Sequence, residues 1–131
     1  MLAKQQIGLV EAYFAAVDAE DLPGVLATLA LTCVLTVETH GVRLQGHQEI
    51  TSMFRRLWAN HRGVRHHAFV HVPDPQGGRI ASRFKVENTE MDGHLTHKSN
   101  CNFFEIRDGK FETVAVYMAG ANTLNSADGG A

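Results

Sequence analysis

Histidines that could transfer protons are the first chemical feature of this sequence. Eight occur among 131 residues, and two of them, His66 and His67, are adjacent. Imidazole has an ordinary pKa of about 6.5, so histidine can give and take a proton at neutral pH. The pair opens a segment whose alternating residues predict a strand, in which only one of the two side chains can face a buried site. Apolar residues on the same side as His66 favour His66 as the inward one.

Other polar residues could complete such a site. Tyr13 lies beside the apolar stripe of a predicted helix, where its hydroxyl could donate to a carbonyl oxygen that becomes enolate-like. A carboxylate such as that of Glu38 becomes a better base in an apolar pocket, because desolvation raises its pKa. Asn100 and Asn102 share one face of a predicted strand and could orient a hydroxyl or a carbonyl. Each of these residues also has a purely structural interpretation. Tyr13 could be a tyrosine at the edge of the core, and Glu38 a solvated strand residue. The two asparagines could lie on an outer face that forms a dimer contact, and the two histidines on the rim or the outer face of the sheet.

The spacing of the histidines does not favour a metal site. His67 and His71 would point the same way from a strand, but about 13 Å apart, too far to share one ion. The sequence has no HxH or HExxH motif, and no glycine-rich loop leads from a strand into a helix. We therefore expect neither a metal ion nor a nucleotide cofactor.

Three helices are predicted in the first half of the chain. Apolar residues recur at helical spacing over residues 2–19 and 47–60. A shorter helix begins near Asp21, whose carboxylate can cap its first free amides. Aromatic residues on the two longer stripes, and one valine of the last strand, could line a substrate pocket. These expected lining residues are Phe14, Phe54, Trp58 and Val116.

The rest of the chain has the period of strands. One strand is predicted over residues 33–40, ahead of the third helix. The strands predicted after that helix span residues 64–73, 79–90, 95–107 and 110–118. Asp-Gly pairs at Asp92 and Asp108 indicate tight hairpin turns between the last three. The pattern predicts an α+β fold in which three helices close one face of a strongly curved antiparallel sheet, like a cone whose mouth is a pocket.

The composition limits the classes of partner. Hydrophobic residues make up 44% and charged residues 20% of the chain, which predicts one globular domain over residues 1–121 and a flexible tail over 122–131. A net charge of −2 gives no electrostatic reason to expect nucleic acid or an anionic membrane. No apolar run is long enough to cross a bilayer, and the first residues have no signal-peptide pattern, so we expect a cytoplasmic protein.

The order of elements resembles that of the nuclear transport factor 2-like superfamily, which includes ketosteroid isomerases, scytalone dehydratase, limonene epoxide hydrolase and the SnoaL-like polyketide cyclases. The segments that carry the resemblance are residues 9–17, 21–26, 37–40, 46–50 and 108–110. The resemblance covers about residues 5–120. It implies the cone-shaped fold, an oxyanion-hole role for Tyr13, a general-base role for Glu38 and an acid/base histidine closer to His67. Asn102 stands about where the isomerases have a second acid, which is a departure from their pattern.

The expected function is that of a cofactor-independent acid/base enzyme, an isomerase, dehydratase or cyclase. Its substrate would be an apolar, oxygenated small molecule such as a polyketide, steroid or terpenoid. The alternative is a non-catalytic member of the same superfamily, a small-molecule-binding or dimeric interaction module. The resemblance also implies a homodimer, and Phe69 and Phe103 on the outer face of the sheet would suit its interface.

Overall fold

The computed structural model describes residues 1–119, so the predicted tail lies outside the described residues. Within them, the helices are α1 (Ala3–Asp18), α2 (Leu22–Ala27) and α3 (Gly46–Asn60). The strands are β1 (Leu29–Val37), β2 (Val42–Gln45), β3 (Gly63–Asp74), β4 (Arg79–Thr89), β5 (Leu95–Arg107) and β6 (Lys110–Tyr117), and a short 3-10 helix covers Glu38–His40. None of the described helices combines the length and the apolar character that a membrane crossing needs.

The six strands form one open sheet in the order β2-β1-β6-β5-β4-β3. Strands β3 to β6 make the predicted antiparallel meander. The expectation of a wholly antiparallel sheet is wrong, because β1 pairs in parallel with β6. No local turn joins these two strands, and hairpin signals report only neighbours along the chain. The short strand β2, which follows Gly41 and pairs with β1, is an addition to the predicted elements.

The helices form where the apolar stripes predict them. Val10, Phe14 and Val17 are buried along α1, and the same spacing buries one face of α3. The Asp21 carboxylate accepts a hydrogen bond of 3.1 Å from the backbone N–H of Gly24, which confirms the predicted cap of α2. Both long helices therefore direct their apolar faces at the sheet, and the α+β fold with three helices is confirmed.

A β-bulge interrupts the alternation of β3. His66 pairs with Val86 on β4, but the register shifts after His67, and Ala68 takes a positive φ of 57°. Beyond the bulge, His71 pairs with the buried Ser82 and therefore faces the same side of the sheet as His66.

Two expectations about the faces of β3 are wrong because of the extra residue at this bulge. Ala68, Val70 and Val72 are exposed rather than on the same side as His66. Phe69 packs against Phe14 of α1, with ring centroids 5.3 Å apart, so it does not belong to the outer face. The structural reason for both is that one added residue reverses the facing of every residue after it.

Candidate functional site

A cavity of about 400 Å³ lies between the helices and the inner face of the sheet. Its walls are mostly apolar. The apolar lining residues are Phe14, Val17, Leu35, Val37, Val42, Met53, Phe54, Leu57, Val64, Phe84, Val86, Val116 and Met118. The polar lining residues are Tyr13, His40, His66, Asn88, Lys98, Asn100 and Asn102. Because the walls hold few polar groups, each of these acts in an environment of low dielectric constant.

Tyr13 reaches this cavity from the buried side of α1. It is only 3% exposed, and its ring makes edge contacts with Phe14, Phe54, Phe104 and Phe111. Burial raises the pKa of the phenol well above its ordinary value, with a smaller contribution from Cys33. Tyr13 therefore keeps its proton at neutral pH and can only donate or accept a hydrogen bond as a phenol. Its hydroxyl has no hydrogen-bond partner among residues 1–119.

His66 is held by a carboxylate on α1. The Oδ1 atom of Asp18 lies 2.6 Å from Nδ1 of His66, and its Oδ2 atom accepts a 2.7 Å hydrogen bond from the His66 backbone N–H. Since a carboxylate accepts, the neutral imidazole carries its proton on Nδ1 and its lone pair on Nε2. The imidazole also packs on Phe14, with ring centroids 4.6 Å apart. This pairing sets both the tautomer and the orientation of a histidine whose side chain is only 10% exposed.

Three asparagines add amide groups to the sheet side of the cavity. Asn100 accepts a 3.0 Å hydrogen bond from the backbone N–H of Ala119 at its Oδ1 atom, which leaves its NH2 group as a donor. Asn88 and Asn102 are 5% and 2% exposed, and the Oδ1 atom of each has no partner among the described residues. An unpaired buried acceptor costs about 1–3 kcal/mol, so these amides favour a bound molecule that carries hydroxyl groups.

Two of the acid/base residues singled out from the sequence, Glu38 and His67, lie outside the cavity. Glu38 is exposed, because β1 ends at Val37 and the 3-10 helix turns the carboxylate away, where it accepts a hydrogen bond from Thr36. His67 points to the side of β3 opposite His66 and pairs with Lys85. Neither side chain borders the cavity, so neither can perform there the proton transfer inferred from the sequence.

Trp58 lies behind the cavity wall rather than on it. Its indole N–H donates a 3.0 Å hydrogen bond to the Val17 carbonyl, and its ring stacks on Phe54 with centroids 5.7 Å apart. Trp58 thus ties α3 to α1. The other expected lining residues Phe14, Phe54, Asn100, Asn102 and Val116 do line the cavity.

Four polar residues that line the cavity or bond to its lining were not singled out from the sequence: Asp18, His40, Asn88 and Lys98. Asp18 lies four residues after Phe14, on the same helix face, and an acid in the last turn of a helix is unfavourable next to the negative end of the dipole. This unfavourable position could have indicated from the sequence that Asp18 has a specific partner. Lys98 lies two residues before Asn100, so strand alternation places it on the same face.

Metal-binding groups do not cluster in the described part of the chain. No group of three or more His, Cys, Asp or Glu side chains within residues 1–119 could hold a metal ion. The free thiol of Cys33 is buried outside the cavity lining, and burial, with a smaller effect of Glu112, raises its pKa to about 12. It is therefore a neutral thiol at physiological pH rather than a nucleophile.

Comparison with known proteins adds a family to this geometry. The family model described as the SnoaL-like domain matches residues 10–114. No curated protein matches the sequence. A candidate polyketide cyclase from Xanthomonas campestris pv. campestris has a TM-score of 0.80 at 23% identity, over 88% of this chain and 90% of that one.

Two further solved structures are similar. A candidate polyketide cyclase from Pseudomonas putida KT2440 has a TM-score of 0.75 at 25% identity, over 83% of this chain and 87% of that one. TerC, crystallised with polyporic acid, has a TM-score of 0.78 at 18% identity, over 89% and 93% of the two chains. At such low identity these neighbours support the fold rather than a shared reaction.

Proposed function

The chain belongs to the SnoaL-like domain family of the NTF2-like superfamily, and on that premise we propose that it is an acid/base enzyme that works without a cofactor. Its substrate is an apolar, oxygenated small molecule of the polyketide kind, and its reaction is an isomerisation, dehydration or cyclisation. The observation that carries the proposal is the Asp18–His66 pair at the wall of an apolar cavity.

His66 is the proposed base. With Nδ1 donating to Asp18, the lone pair on Nε2 is free to take a proton from a carbon next to a carbonyl group. The C–H electron pair then becomes the double bond of an enolate, and negative charge develops on the carbonyl oxygen. The Asp18 carboxylate stabilises the imidazolium that forms, as a half-buried partner of opposite charge.

Tyr13 and Asn100 are the proposed donors to that oxygen. The Tyr13 phenol and the Asn100 NH2 group both border the cavity. They are preorganised, and water would compete with them little between apolar walls. The imidazolium then returns its proton to another carbon, or to a leaving hydroxyl as water. In a cyclisation, the enolate carbon instead attacks a second carbonyl of the same molecule, and the imidazolium gives its proton to the alkoxide that forms.

Turnover of a substrate panel tests this proposal. The panel contains enones, β-hydroxy ketones and poly-β-ketones, and product formation is followed by absorbance and mass spectrometry. His66→Ala should abolish any turnover that the wild type shows, whereas His67→Ala, at the next position but on the other face, should retain it. Equal activity of His66→Ala and wild type would remove the proposed base.

One observation favours a second candidate, a non-catalytic binding module. None of the described residues that line the cavity is Asp or Glu, so the walls lack the second acid that ketosteroid isomerases use. This candidate predicts that a panel compound binds with a measurable Kd while no compound is converted. It also predicts that Asp18→Asn leaves the Kd unchanged.

We also propose that the chain forms a homodimer through the outer face of its sheet. Phe103 is 41% exposed and lies beside Ala81 and Ala115, so an apolar area is open on this face. Tyr117 on β6 is 47% exposed next to it. A second copy of the chain would cover this area.

A further inference from the structure

Lys98 is the one lysine among the described residues that line the cavity. It lies on β5 opposite Val86 and two residues from Asn100, which places it on the inner face of the sheet. Its side chain is half-buried. We propose that Lys98 selects substrates that carry an anionic group, a carboxylate or an ionised enol or phenol, next to their apolar body. This inference deepens the proposed function and rests on it, because it concerns the same cavity.

Lys98 has no partner within residues 1–119. It takes part in no ion pair or hydrogen bond there, although the chain has more acidic than basic residues. Two other lysines are paired: Lys85 donates to the Ser99 hydroxyl at 3.3 Å, and Lys110 donates to the Ala27 carbonyl at 2.7 Å. A half-buried ammonium that lacks a partner carries a desolvation cost that a bound anion would offset.

The sign of the charge on the cavity lining also favours an anion. The titratable groups on its lining are Lys98, His40, His66 and Tyr13, and no described lining residue is a carboxylate. Asp18, the acid that bonds to His66, is occupied by that histidine and does not line the cavity itself. The lining therefore offers positive charge and hydrogen-bond donors to a ligand, and apolar walls strengthen the attraction between Lys98 and an anion.

The asparagines of the cavity indicate what else the ligand must carry. The unpaired Oδ1 atoms of Asn88 and Asn102 call for hydrogen-bond donors, while Lys98 calls for an acceptor with negative charge. A molecule with an ionised acidic group and neutral hydroxyl groups on one apolar skeleton meets both demands. The structure thus points to hydroxylated aromatic or polyketide acids rather than to neutral steroids or terpenes.

Two fluorescent probes of nearly the same shape test this inference without knowledge of the substrate. They are 1-anilinonaphthalene-8-sulfonate, which is anionic, and N-phenyl-1-naphthylamine, which lacks only the sulfonate. Their Kd values are measured by fluorescence titration of wild type, Lys98→Met, Lys98→Arg and the control Lys85→Met. Chemical-shift changes of the Asn100 side-chain amide verify that the probe is in the cavity.

We expect Lys98→Met to weaken binding of the sulfonate by about ten-fold or more and to leave binding of the neutral probe nearly unchanged. Lys98→Arg should retain most of the sulfonate affinity, and Lys85→Met should behave as wild type. If Lys98→Met loses affinity for both probes, or keeps its affinity for both, the proposed preference for anions is overturned, while the proposed function is not affected. Failure of both probes to shift Asn100 in the wild type would instead count against the cavity as a binding site, and so against the proposed function.

Discussion

Replacing Asp18 by Asn tests how the site works, because the change keeps the shape of the side chain and removes only its charge. In the wild type, both carboxylate oxygens accept: one from the His66 backbone N–H at 2.7 Å and one from Nδ1 at 2.6 Å. An asparagine has one oxygen and one NH2 group. The backbone N–H can only donate, so the asparagine oxygen must face it and the NH2 group must face Nδ1.

That arrangement reverses the tautomer of His66. Nδ1 becomes the acceptor, the proton moves to Nε2, and the lone pair no longer faces the cavity. A general base contributes about 10²–10⁴ in rate, so kcat should fall by that factor, about 2.7–5.4 kcal/mol in the barrier. The loss of one charge-assisted hydrogen bond should also lower the free energy of unfolding by about 1.5–3 kcal/mol.

The tautomer can be observed directly, even before a substrate is known. In protein labelled with 15N-histidine, the shifts of the two ring nitrogens of His66 distinguish protonation at Nδ1 from protonation at Nε2. Urea titration measures stability in parallel. The matched control is Glu11→Gln, which alters another carboxylate–histidine pair on α1, Glu11 with His71, that does not border the cavity. An Asp18→Asn protein that keeps the proton on Nδ1, or that keeps full turnover, would show that Asp18 does not set the tautomer of a catalytic His66.

Three further predictions concern other parts of the molecule. Tyr13→Phe should lower kcat by about 10²–10³ with little change in Kd, as expected for one lost oxyanion donor, in steady-state and binding assays at neutral pH. Burial raises the pKa of Cys33 to about 12 from 9.0, so the unfolded chain loses this proton first as pH rises. The free energy of unfolding should therefore fall by about 1.4 kcal/mol per pH unit from roughly pH 9 to 12, a contribution that Cys33→Ala removes in urea titrations. Phe103→Glu should convert a dimer to a monomer in light scattering, whereas Leu31→Glu, at a position 80% exposed elsewhere, should not; a Phe103→Glu protein that stays dimeric would place the interface elsewhere.

Much of the fold could be predicted because its signals are local. Helix periodicity needs only residues within a few turns of one another, and the Asp-Gly pairs report on the turns they form. Gly93 and Gly109 have φ values of 93° and 76°, the left-handed conformation that those hairpin turns require. The parallel pairing of β1 with β6 has no such signal, since it depends on contacts between segments far apart along the chain.

The site could be predicted only in part, for the same reason. The places of Tyr13, Asn100 and Asn102 on the cavity could be predicted, because each depends only on the side of one helix or one strand on which the residue lies. The partner of His66 could not be found this way, because Asp18 is 48 residues away and comes close only when α1 packs on β3. His66 does line the cavity, but the apolar residues that favoured it, Ala68, Val70 and Val72, lie on the other face, because nothing in the sequence identifies Ala68 as the extra residue of a bulge.

The bulge at Ala68 also divides β3 into two halves that can change independently. On a regular strand, His66 and His71 would face opposite sides, so a chain could not give both a place under the helices. With the extra residue, the first half aligns with the cavity and the second with the packing between α1 and the sheet. Substitutions at Val64, which lines the cavity, could therefore change the specificity of a family member while His66 and residues 69–74 keep holding α1 in place. Deleting Ala68 would end that independence, since one half would have to turn its aromatic and imidazole rings towards water.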